Sequence, residues 1–98
     1  MSQSVTTQAE QGLYVHPEAL TAHLPALDYR GGALYMEQVS IAEVVKNYGT
    51  PCYVYSKQAI LDVYQAYTTS FASLPHQICY AVKANSNLAV LGILAQAG

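Results

Sequence analysis

The run Ile78-Cys79-Tyr80-Ala81-Val82 is apolar at five successive positions and ends on Lys83. An amphipathic helix would bring polar residues round every three or four positions, and a half-buried strand would alternate. This run does neither, so it reads as a strand covered on both faces, as strands are inside a parallel sheet. After the loop Ala84-Asn85-Ser86-Asn87, where Ser86 or Asn87 can cap, residues 88–97 carry one polar side chain, Gln96. They read as a helix that is apolar nearly all round and therefore needs neighbours on several sides.

The segments upstream supply part of that demand. Leu27-Asp28-Tyr29-Arg30-Gly31-Gly32-Ala33-Leu34-Tyr35-Met36 reads as two short strands joined by a tight turn, because paired glycines accept the positive φ angles of hairpin turns. A helix is predicted over 41–48: Ile41, Val44, Val45 and Tyr48 share a face, Ser40 and Glu43 have capping-box spacing, and Gly49-Thr50-Pro51 stops it. Val39 and Val44 occupy its hydrophobic-staple positions. Cys52-Tyr53-Val54-Tyr55 is predicted as a strand from its aromatic and β-branched content. Ser56 then caps a longer helix whose buried stripe is Ile60, Tyr64, Tyr67 and Phe71, widened by Leu61 and Leu74 and ended by Pro75. From residue 50 the order is strand, helix, strand, helix, the pattern of a parallel α/β sheet or barrel.

Two parallel strands cannot enclose a core. With 52% hydrophobic and 10% charged residues, against about a quarter charged in ordinary soluble domains, the chain exposes more apolar surface than it can bury alone. The expectation is that it begins a longer protein. Residues 1–26 read as a weakly ordered amino terminus, with a short helical turn over 16–24 after Pro17.

Several function classes are disfavoured. No apolar stretch approaches the roughly 18 residues of a membrane span, and Met1-Ser2-Gln3-Ser4-Val5-Thr6-Thr7-Gln8 has no secretory-signal character; a cytoplasmic, non-membrane protein is expected. A net charge of −2 with scattered basic residues gives no footprint for nucleic acid. Cys52 and Cys79 lie in apolar runs outside any metal or redox spacing and read as buried free thiols. His16, His23 and His76 are far apart and read as exposed or capping residues, so no metal site is expected. The nine tyrosines suit core and interface positions better than base stacking.

Lys83 stands at the carboxyl end of the predicted central strand, where parallel barrels gather their active sites. On position alone the favoured reading is the plainer one, a lysine reaching solvent where its strand ends. An amine partly withdrawn from water more readily presents its neutral, nucleophilic form, the form that condenses with aldehydes such as pyridoxal phosphate.

The flanking residues add to this. Tyr80-Ala81-Val82-Lys83-Ala84-Asn85-Ser86-Asn87-Leu88-Ala89-Val90-Leu91 resembles the cofactor-lysine segment of diaminopimelate decarboxylases. Tyr48-Gly49-Thr50-Pro51-Cys52-Tyr53-Val54-Tyr55-Ser56 resembles the stretch that precedes it in that family, and residues 28–37 resemble its opening hairpin. The resemblance, over roughly 27–98, implies an alanine-racemase-like α/β (TIM-type) barrel with an accessory β-domain. Residues 27–49 would lie on the β-domain side and 50–98 would form the first strand–helix units of the barrel. It further implies Lys83 as both catalytic residue and attachment point of pyridoxal 5'-phosphate, and a homodimer with shared active sites. The implied reaction is decarboxylation of a small amino-acid substrate, meso-2,6-diaminopimelate, to L-lysine.

Decarboxylases acting on ornithine, arginine or carboxynorspermidine share the Tyr-Ala-x-Lys core, but the Ala84-Asn85-Ser86-Asn87 continuation resembles the diaminopimelate enzymes more closely. Non-catalytic pyridoxal-phosphate-binding homeostasis proteins of the same fold also carry such a lysine but usually lack the opening hairpin. A self-contained interaction module is the third class, and cooperative unfolding of the isolated chain would distinguish it.

Overall fold

The computed structural model describes residues 21–98. Most of the turn expected over 16–24 falls outside them. Within the described part, Leu24 N donates to Thr21 O at 3.0 Å and Leu27 N to Leu24 O at 2.9 Å, so turns lead into the first strand.

Strands β1 (Leu27–Arg30) and β2 (Ala33–Met36) pair antiparallel, with Leu27 opposite Met36 and Arg30 opposite Ala33. The two-residue loop between them is Gly31-Gly32, at φ 57° and 81°; successive positive φ values fit the right-handed twist of a hairpin and favour glycine. A second tight connection, which the sequence reading missed, leads to β3 (Val39–Ser40), paired with β2 through Tyr35 opposite Ser40. Its loop starts at Glu37, at φ 55°, a conformation that L side chains rarely adopt.

Helix α1 (Ile41–Tyr48) has the predicted bounds and packs on β2. Gly49, at φ 76°, ends it with its N–H donating to Val45 O. The capping box does not form, since the Ser40 side chain makes no cap hydrogen bond. Helix α2 (Lys57–Ser70) is capped as predicted by Ser56, whose hydroxyl accepts from Ala59 N at 2.9 Å. Helix α3 (Leu88–Ala97) packs against α2 and buries Val90.

The two predicted parallel strands are absent. Residues 52–55 and 77–83 form no ladder; the second segment is irregular and enters a 3-10 turn at Val82–Ala84. Hydrogen bonding explains the difference. A hairpin strand finds its partner within a few residues, whereas a central parallel strand needs neighbours brought by long crossovers, and no third parallel segment exists among the described residues to flank this one.

Burial follows suit. Ile78, Tyr80 and Val82 are exposed, and Cys52 and Cys79, expected to be buried, are exposed free thiols. The expected stripe of α2 is only partly covered: Ile60, Leu61 and Tyr64 are half-buried on the side of α3, while Tyr67, Phe71 and Leu74 face solvent. Between α2 and segment 78–81 lies an open groove of about 450 Å³ lined by Ile60, Val63, Tyr67, Ile78, Tyr80 and Leu94. Among the described residues the fold is thus a three-stranded antiparallel sheet with helices α1 to α3, and these residues form no barrel. No helix among the described residues is long and apolar enough to cross a membrane.

Candidate functional site

Lys83 occupies the middle of the Val82–Ala84 turn, closed by Ala84 N donating to Ala81 O at 3.0 Å. The partial burial expected of a strand-end amine is not found: Lys83 is exposed, because the strand that would cover it has no sheet to join. Its side chain makes no hydrogen bond or ion pair among the described residues. The flanking residues alone set its position.

Those flanks are ordered by a chain of side-chain bonds. Tyr80 Oη donates to Asn85 O at 2.8 Å, spanning the turn from one side to the other. Asn85 Oδ1 accepts from Asn87 N at 3.0 Å, and Asn87 Oδ1 accepts from Ala89 N at 2.8 Å. The last bond caps α3 and resolves the choice between Ser86 and Asn87 in favour of Asn87. Both asparagines form short-range turns of the kind their side chains favour. The amides of Asn87 and Ala89 are consequently occupied. The Tyr80 bond had no signature in the sequence; the asparagine spacing was the legible half.

A second polar junction, also missed, joins the hairpin to α2. Glu37 Oε1 accepts from Ser56 Oγ at 3.1 Å and from Gln58 N at 2.8 Å, so a carboxylate from the hairpin sits at the amino end of a helix, where its charge is favoured. Ser56 is the buried polar residue at the centre of this junction. Glu37 is held in turn by Arg30, whose Nη2 donates to Glu37 O at 2.9 Å while the guanidinium lies 5.2 Å from the Tyr35 ring centroid. A glutamate in a left-handed turn has no sequence pattern that announces such a role.

Of the histidines within the described residues, His76 is exposed with Nδ1 2.9 Å from Leu74 O, and His23 is exposed; His16 lies outside them. Among the described residues no group of three or more His, Cys, Asp or Glu side chains could hold a metal ion.

No protein-family profile matches the chain. It is 44% identical over 75 residues to a diaminopimelate decarboxylase of Pseudomonas fluorescens, covering 76% of this chain and 18% of that protein. With the diaminopimelate decarboxylase of Vibrio cholerae it shares 51% identity over 67 residues, 68% of this chain and 16% of that one. The crystal structure of AQ1208 from Aquifex aeolicus aligns with a TM-score of 0.72 at 42% identity, over 79% of this chain and 19% of that chain. The chain thus spans less than a fifth of the length of the relatives it matches. At these identities the chain matches diaminopimelate decarboxylases in one segment.

Proposed function

We propose that the chain is the cofactor-anchoring part of a longer enzyme that decarboxylates meso-2,6-diaminopimelate to L-lysine and carbon dioxide, using pyridoxal 5'-phosphate. The observation that carries this reading is the family relationship, 44% identity over 75 residues, with the free amine of Lys83 as its chemical counterpart.

The residues present fit the cofactor at one point. Lys83 is exposed on a short turn with no competing partner for its amine, which suits a covalent anchor that must be made and released in each turnover. When bound, the pyridoxal ring takes up the electron pair left as carbon dioxide departs. Lys83 holds the group between turnovers and yields its place to the substrate amine. Contacts to the phosphate and the ring belong in this reading to parts of the enzyme other than this chain.

The reading also gives the irregular segments a purpose. Residues 52–55 and 77–81, up to the Val82–Ala84 turn, would become strands once further parallel strands flank them, 50–98 forming the start of the barrel and 27–49 lying on the β-domain side. The enzyme would be a cytoplasmic homodimer with shared active sites. The hairpin observed over Leu27–Met36 supports the enzyme over the non-catalytic homeostasis proteins, which usually lack it.

Lysine formation by the full-length enzyme tests the proposal. Lys83→Ala is expected to lower it by on the order of a thousandfold or more, as loss of a covalent catalytic group does. Activity within about tenfold of the unaltered enzyme would refute the assignment.

A further inference from the structure

We infer that Tyr80 is a positioning residue for Lys83, its hydroxyl holding the lysine's turn in the conformation that presents the amine. This rests on the reading of Lys83 as the cofactor anchor and adds a residue to it.

The Val82–Ala84 turn is closed by a single backbone hydrogen bond, from Ala84 N to Ala81 O, and one such turn is weakly ordered on its own. Lys83 contributes nothing to its own placement, since its side chain has no partner among the described residues. Tyr80 comes before the turn and Asn85 after it, and the 2.8 Å bond from Tyr80 Oη to Asn85 O ties the two ends together. Asn85 Oδ1 passes the constraint on through Asn87 N to the capped start of α3. The ring of Tyr80 lines one wall of the open groove beside α2 and stays partly exposed, while its hydroxyl reaches the turn. Ring and hydroxyl therefore have separable roles: packing for one, the turn for the other.

Condensation requires Nζ to attack the aldehyde carbon. A C–N bond forms, the carbonyl oxygen leaves as water, and a C=N linkage remains. Its rate scales with how often the turn presents the amine in reach. Removing one hydrogen bond that holds this arrangement is expected to slow attachment by about two- to tenfold.

The experiment adds pyridoxal phosphate to the full-length apoenzyme and follows the visible absorbance of the linked cofactor, with Lys83→Ala as the blank. Tyr80→Phe keeps the ring and removes the hydroxyl. Slower attachment at full final occupancy, measured well below the melting temperature, is the expected result. A lowered melting temperature with an unchanged attachment rate would show a merely structural role and overturn the inference. If the unaltered enzyme gives no absorbance that Lys83→Ala abolishes, the anchor reading itself fails, and that failure is distinct. Should Tyr80→Phe not fold, O-methyltyrosine in place of Tyr80 keeps the ring and oxygen but cannot donate to Asn85 O. Slowed attachment then supports the inference, and an unaltered rate overturns it.

Discussion

Residues 27–48 satisfy their backbone from nearby sequence, whereas 76–82 leave theirs open. In the first region two tight connections fold three strands into a ladder, a glycine stops the helix that packs on it, and Glu37 ties the whole to α2. In the second, no amide of 76–82 donates to another backbone carbonyl among the described residues, and Ile78, Tyr80 and Val82 stay in solvent. The second region is the more apolar, five of seven residues against 12 of 22, so apolar content does not decide which is ordered. What differs is the distance along the chain at which a partner can be found: antiparallel pairing closes within a few residues, while parallel pairing waits for later crossovers. In the proposed full-length enzyme this apolar run without alternation would be a strand whose partners come from far along the chain.

The largest effect expected from this difference lies in amide exchange. In the isolated chain the amides of 78–82 should exchange near unprotected rates while those of β2 are slowed. In the full-length enzyme the same amides should slow by a factor of ~10,000 or more, because a strand inside a folded sheet opens only with global unfolding. Strong protection of 78–82 in the isolated chain would break the comparison by showing that this region completes itself.

A smaller effect tests the junction between the regions. Glu37→Ala removes the acceptor for Gln58 N and Ser56 Oγ, and the Gln58 amide should exchange about threefold faster, since its bond to Glu37 is exposed to solvent. Glu37→Gln, which keeps the acceptor and loses the charge, should have a lesser effect. Equal exchange in all three proteins would mean that the sheet and α2 are joined by packing alone.

What was legible follows the same division. The Gly31-Gly32 hairpin, the bounds of α1 and α3 and the Ser56 cap were all readable, since each depends on residues within a turn or two of one another. The strands at 52–55 and 77–83 were read from composition that answers to a larger sheet, so the expectation failed for the chain as it stands. The buried thiols failed with them, because Cys52 and Cys79 owed their expected burial to those strands. At the candidate site, Lys83 was singled out from its neighbours' resemblance to a family, and capping chemistry narrowed the start of α3 to Ser86 or Asn87, of which Asn87 caps. Tyr80 and Glu37 were not found, because each acts through a contact that only folded geometry creates: Tyr80 across a turn, Glu37 across 21 residues to Gln58.

The most direct test of the central claim is to identify the lysine that carries the cofactor. The full-length enzyme is reduced with borohydride, which fixes the amine–aldehyde linkage as a stable secondary amine, and its peptides are then weighed by mass spectrometry. The account predicts the added cofactor mass on the peptide containing Lys83, with Lys46 and Lys57 unmodified. Label on another lysine, or none, would contradict it.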